Sequence, residues 1–270
     1  HLNKSDLSGC NIQPPEMKIL VSLSLFLLSI LLANAQVMIH SHNDYVHAKP
    51  FWEAYQADAY SIEADIYLRE NNLMVAHASN EIKTGVTLEK LYLEPLTKVI
   101  LSKMKLKSGG NRSMPVMLID FKDDYQKVMP VFLAKLLDMQ NKLKEQRVDT
   151  MPTFVVSGNR PPADSFGIYP YYVQFDGRPY ELYDKAALSK IAFISDQYLK
   201  YSSWNGKEAI APADSATIVR LIQTIHEKGK MLRLWNTPDT ELAWKTFREM
   251  GVDIINTDQP AICQKFFSGS

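Results

Sequence analysis

Short apolar runs alternate with longer segments of helical period along the chain, about eight times over, and polar residues gather at the downstream ends of the apolar runs. Alternation of strand and helix signals implies a parallel sheet, and about eight such units in this length favour a single closed (β/α)8 TIM barrel over an open sheet. The class is therefore α/β.

The N-terminal region reads as separate from the barrel. Residues 1–16 precede Met17 and look like an upstream extension or non-native residues outside the fold. Met17 and Lys18 open a short basic stretch, ILVSLSLFLLSILL (19–32) is an apolar core of signal-peptide length, and ANA (33–35) supplies small residues for cleavage before Gln36. That core is shorter than the ~20 apolar residues of a membrane span. The expectation is a signal peptide over 17–35, cleaved near Ala35. It leaves a secreted or periplasmic barrel over 36–270 with no transmembrane span. LSGC (7–10) has the letters of a lipoprotein box, but no apolar stretch precedes it. With Cys10 lost in the leader, Cys263 stands alone and forms no intramolecular disulfide.

The strands follow in order. VMIHSH (37–42), YSIEADIYL (60–68), LMVAH (73–77), PVMLIDF (115–121), TFVVSG (153–158), IAFISD (191–196), KMLRLW (230–235) and VDIINTD (252–258) form the series. YYVQFDG (171–177) is a possible extra strand. Helical period appears over 87–105, 125–146, 215–230 and 240–251, with Pro95 and Pro130 placed to kink or delimit the first two. The formal net charge is zero, which argues against a nucleic-acid partner, because phosphate backbones are met by a basic surface. Oligomeric state leaves no sequence signal.

Chemistry concentrates at strand ends. Glu63 and Asp65 are two apart on a strand and share a face. If that face is the barrel interior, the two like charges need a cation, a proton or an arginine, and a hard divalent ion suits carboxylate oxygens. Asp120 and Lys122 repeat the spacing, with Asp120 a third possible ligand and Lys122 a cation for an anionic substrate. His42 and His77 end two strands beside these acids. An imidazole can hold or release a proton near neutrality, which suits general acid and base roles. The HSH sequence also opens zinc hydrolase sites, but those need further histidines on later strands. Only His226 follows His77, inside a helical pattern. His40 is therefore placed one layer deeper than His42, in support.

The ordered set His42, Glu63-x-Asp65, His77, Asp120-x-Lys122, LWNTPD (234–239) and NTDQP (256–260) resembles the phospholipase-C-like phosphodiesterase superfamily, including glycerophosphodiester phosphodiesterases and sphingomyelinase D toxins. SHNDY, IEAD and RLWNTPD are most similar to its altered-inheritance-of-mitochondria protein 6-like branch. The resemblance implies a barrel of that type and a metal-dependent phosphodiesterase. It implies one Mg²⁺ or Ca²⁺ on Glu63, Asp65 and Asp120, His42 and His77 as the acid/base pair, Lys122 on the phosphate, and Trp235 as a pocket wall. The implied substrate is a small-molecule or lipid-derived phosphodiester.

The chain departs from that pattern after His42. Glycerophosphodiesterases continue with Arg-Gly, whose arginine helps hold phosphate, where this chain has Asn43 and Asp44. Arg160 or Arg233 is the candidate to meet the phosphate charge instead, with Asn43 a candidate substrate-binding residue; Arg233 shares a strand face with Trp235. Two alternatives stand beside this reading. One is a metal-independent phosphatidylinositol phospholipase C-like enzyme. The other is a catalytically silent secreted binding protein using aromatics such as Trp204, Tyr171 and Tyr172.

Overall fold

A computed structural model describes residues 37–106 and 113–269. The expected extension and signal peptide lie outside the described residues. Nine strands are present among these residues: β1 (Met38–Ser41), β2 (Ser61–Arg69), β3 (Asn72–Val75), β4 (Val116–Phe121), β5 (Phe154–Gly158), β6 (Val173–Gly177), β7 (Ile191–Gln197), β8 (Leu232–Trp235) and β9 (Ile254–Thr257). All but β3 are parallel and follow one another around a ring, which closes because β1 pairs with both β2 and β9. The helices are α1 (Trp52–Gln56), α2 (Glu94–Leu106), α3 (Tyr125–Glu145), α4 (Lys185–Ser189), α5 (Pro212–Glu227), α6 (Glu241–Met250) and α7 (Pro260–Ser268). This is the (β/α)8 barrel that the alternation predicts.

Two assignments change places. LMVAH is not a ring strand, because β3 runs antiparallel to β2 and pairs Val75 with Ile66. Glu70 and Asn71 between them have φ values of 48° and 63°. Two central residues at positive φ make the tight hairpin turn whose twist matches the flanking strands. YYVQFDG, by contrast, supplies β6, a full member of the ring paired with β5 and β7.

Helix ends follow local chemistry. The Asp124 side chain accepts from the Gln126 N–H at the start of α3, and Thr240 accepts from Ala243 at the start of α6. Gly251 closes α6 at φ 95°, a left-handed position that glycine fills without strain. Pro130 lies inside α3, while Pro95 sits where a wider π-helical turn (Glu89–Leu93) passes into α2. Among the described residues no helix is long and apolar enough to cross a membrane.

Side-chain alternation sorts each strand. On β2, Ile62, Ala64 and Ile66 join the main core under the helices, leaving Ser61, Glu63 and Asp65 to the barrel interior. The interior is layered along the axis. Leu118, Val155, Phe193 and Ile254 form a separate apolar plug. Two residues further along the same strands come Asp120, Ser157, Ser195 and Asn256, so the polar layers begin where the plug ends.

Candidate active site

The HSHNDY segment (40–45) divides its labour residue by residue. His40 is fully buried, and its Nε2 lies 2.7 Å from Glu63 Oε2 and its Nδ1 2.7 Å from Ser61 Oγ. Burial, helped by the nearby Arg233 charge, lowers its pKa to about 4. A neutral imidazole fits both contacts, donating to Glu63 and accepting from Ser61. Two residues on, the His42 Nδ1 lies 2.7 Å from Asp258 Oδ1, just after β9. Burial opposes charge on His42, but the Asp258 hydrogen bond and the Glu63 field outweigh it, so its pKa is raised. With Nδ1 engaged, Nε2 is the ring atom left for the cavity.

Asn43 adopts a left-handed backbone (φ 48°), after which Asp44 turns inward and anchors the loop. Its buried carboxylate accepts from the Ser41 hydroxyl at 2.9 Å and the Phe51 N–H at 2.6 Å. His47 lies 3.4 Å from the same group and is raised to about 9, first by that contact. A histidine pKa raised on folding adds stability that is complete below the unfolded value of about 6.5 and lost as pH climbs through about 9. Thermal melts of wild type should therefore fall across that window more steeply than those of a His47→Gln variant. Parallel pH curves for the two proteins would remove this role.

Around the ring, the inward side chains meet in one cavity of about 340 Å³ at the C-terminal end of the barrel. Its lining includes His42, Asn43, Glu63, Asp65, His77, Asp120, Lys122, Arg233 and Trp235, with Leu118 of the plug as its apolar contact. The sequence-predicted residues thus come together, with one exception. Arg160 does not line the cavity; it pairs with Glu181 and lies over the Phe166 ring, with 5.3 Å from guanidinium carbon to centroid. Arg233 does line the cavity but is committed beneath it. Its Nη2 donates to Glu63 Oε2 at 2.8 Å, and Nε and Nη2 both donate to Asn256 Oδ1. Trp204, Tyr171 and Tyr172 lie outside the cavity lining; Trp204 packs on Phe247, and Tyr172 is buried.

The acids form the centre. One oxygen from each of Glu63, Asp65 and Asp120 lies within 4.8 Å of the others. Burial alone would raise Glu63, but Arg233 and His40 more than offset it and hold the carboxyl well below the usual range. Asp65 is different: burial, then the charges of Glu63 and Asp120, push it up to about 7. Burial also raises Asp120 despite Lys122 beside it. Lys122 Nζ contacts Asp120 Oδ2 and lies 2.9 Å from Asp65 Oδ2, which keeps the amine protonated. The second oxygens, Asp65 Oδ1 and Asp120 Oδ1, are buried without a hydrogen-bond partner among the described residues. Two buried orphan carboxylate oxygens beside a third acid fit a hard divalent cation.

Gly158 frames that oxygen. It has φ +65°, and a Cβ there would lie 2.0 Å from Asp120 Oδ1 and 2.5 Å from Phe121 O. Gly158→Ala should cost more than the roughly 1–2 kcal/mol of a left-handed non-glycine residue, because Asp120 must also move. Thermal denaturation checks this, and an unchanged melting temperature would contradict it.

Sequence reasoning missed five cavity residues or partners. Tyr45 OH lies 2.7 Å from Asn43 Oδ1, 2.8 Å from Asp65 Oδ2 and 3.2 Å from His77 Nδ1, tying the β1 loop to the acids. Asp258 orients His42, although NTDQP was visible only as a motif. Ser157, Asp176 and Arg178 line the wall at β5 and β6. The i, i+2 spacing of Asp176 and Arg178 was the available signal.

A closed parallel barrel with paired histidines, an acid triad and a lysine at its C-terminal mouth is a phosphodiesterase fold, and similarity to known proteins supports the phospholipase-C-like, glycerophosphodiester-phosphodiesterase-like superfamily. Within it, residues 30–161 match the AIM6-like phosphodiesterase domain, and residues 232–261 match the glycerophosphoryl diester phosphodiesterase family. The chain is 25% identical to altered inheritance of mitochondria protein 6 of Eremothecium gossypii, over 84% of this chain and 69% of that protein. It is 25% identical to the homolog from Arthroderma benhamiae, over 86% of this chain and 84% of that one. A glycerophosphodiester phosphodiesterase from Parabacteroides distasonis superposes with a TM-score of 0.52 at 15% identity, covering 87% of this chain and 98% of its own, which supports the fold.

Proposed function

We infer that this chain is a metal-dependent phosphoric diester hydrolase acting on a small-molecule or lipid-derived phosphodiester. The observation that supports it most is the convergence of His42, His77, Lys122 and the Glu63–Asp65–Asp120 triad on one cavity. A divalent ion, Mg²⁺ or Ca²⁺, held by the three acids would offset charge on the phosphoryl oxygens. Lys122 presents a fixed positive charge from the same wall, aimed at the oxygens that gain charge in the transition state. His42 accepts the proton of the attacking hydroxyl, and Asp258 stabilises the imidazolium that results. His77, with its side chain 63% exposed at the rim, supplies a proton to the leaving oxygen. Water or a neighbouring substrate hydroxyl can serve as nucleophile; the latter gives a cyclic phosphate first. Export after signal-peptide cleavage belongs to the same proposal.

One observation favours a second reading, a metal-independent phospholipase C-like enzyme: Lys122 already bridges Asp65 and Asp120. Chelation separates the two. Phosphodiester turnover should stop in EDTA and return with excess Mg²⁺ or Ca²⁺, whereas turnover that survives EDTA supports the lysine-bridged, metal-free site.

A further inference from the structure

The cavity contains an arginine that the reading above does not use. Asp176 and Arg178 are two residues apart, at and just beyond the end of β6, and both line the cavity. Around the ring from β1, the strands run β2, β4, β5, β6, which places β6 halfway round. Arg178 therefore stands across the mouth from His42. Its guanidinium is fixed rather than free. Nη1 lies 2.8 Å from Asp176 Oδ2 and donates to Gly177 O at 2.9 Å, while Nη2 donates to Ser157 Oγ at 3.2 Å. Ser157 in turn donates to Asp176 Oδ2 at 2.8 Å.

These contacts leave part of the fork unused. A guanidinium has five N–H donors. Among the described residues, Nε and one hydrogen of Nη2 have no protein acceptor. The other arginine of the cavity, Arg233, is tied to the buried Glu63 carboxylate and Asn256 through Nε and Nη2. Arg160 is outside, on Glu181. A cavity-facing guanidinium, held in orientation and with donors to spare, is suited to bind two oxygens of a tetrahedral oxyanion.

We propose that Arg178 is the phosphate clamp of this site, binding non-bridging phosphoryl oxygens from the wall opposite His42, with Asp176 and Ser157 as its positioning residues. The assignment rests on the phosphodiesterase reading and deepens it. It places the arginine contact just beyond β6 in a chain whose first strand is followed by His42, Asn43 and Asp44. The bound group is a phosphate diester, held between Arg178 on one side and Lys122 on the other.

The test is calorimetric titration with inorganic phosphate in the presence of Mg²⁺, together with steady-state turnover of bis(4-nitrophenyl) phosphate. Arg178→Gln should weaken phosphate affinity roughly 10–100-fold and raise KM in step, the scale of one or two lost charge-assisted hydrogen bonds. Arg178→Lys, which keeps the charge but not the fork, should fall between. Because Arg178→Gln strands the buried Asp176 carboxylate, the double variant Asp176→Asn with Arg178→Gln keeps the pair neutral. It should show the same loss of phosphate binding while folding normally. A merely structural arginine would lower melting temperature in Arg178→Gln and leave phosphate affinity intact in the double variant, and that result overturns the clamp. Wild-type protein that binds phosphate as tightly as all three variants would overturn it too, while leaving the phosphodiesterase reading in place. Wild-type protein that neither binds phosphate nor turns over any diester would overturn that reading, and the clamp with it.

Discussion

Replacing His42 by asparagine should lower phosphodiester turnover about 10²–10⁴-fold, the usual contribution of a positioned acid or base, with little change in melting temperature. The expectation follows from how His42 is held. Its Nδ1 is bound by Asp258 and its other face opens to the cavity, and asparagine can still reach Asp258 from the same backbone position. Removing the imidazole therefore removes proton transfer while keeping the β1 loop, which is anchored separately by Asp44. Asp258→Asn gives the sign check. Asp258 raises the His42 pKa, so its loss should move the His42 limb of the pH–rate profile to lower pH. Steady-state kinetics across pH reads both effects. Turnover retained in His42→Asn would assign the proton transfer elsewhere.

Glu63→Gln should be the most damaging single change to the fold. Glu63 is buried, and its Oε2 takes both the His40 and the Arg233 hydrogen bonds. Neutralising it leaves the Arg233 guanidinium buried beside neutral amides, Asn256 and the new glutamine, with no counter-charge. Breaking a buried pair from one side costs about 3–5 kcal/mol, because the surviving charge stays desolvated. For a domain of this size that is a melting temperature lower by roughly 6–20 °C. The partner control is Glu63→Gln combined with Arg233→Met. Removing both charges should recover much of the loss, since a buried pair often adds little over a well-packed apolar replacement. A single variant as stable as wild type would show that Arg233 finds water or another acceptor.

What the sequence made legible, and what it hid, divides along one physical line. Side-chain phase on a strand is local, so Glu63/Asp65, Asp120/Lys122 and Arg233/Trp235 could each be assigned a common face from their spacing alone. Their gathering into one cavity followed from closing the barrel. Partnerships across the barrel are not local. His42 meets Asp258 across 216 residues, and that pairing depends on the register between β1 and β9. The β3 hairpin was read as a ring strand because its apolar run looks the same in either direction; its direction was set by Glu70 and Asn71 at positive φ. Arg160 carried the right chemistry for a phosphate ligand in the sequence, yet beyond β5 it turns to Glu181 outside the cavity, while Arg178, one residue beyond β6, lines it.

The most direct test of the central claim is ³¹P NMR of the protein with a mixed panel of glycerophosphocholine, glycerophosphoinositol, lysophospholipid and sphingomyelin, run with Mg²⁺ or Ca²⁺. Conversion of at least one member to a phosphomonoester or a cyclic phosphate by wild type, and not by His42→Asn, is the predicted result. An unchanged phosphorus spectrum for every member, with divalent ion present and the protein folded, would contradict it and leave the barrel as a binding protein.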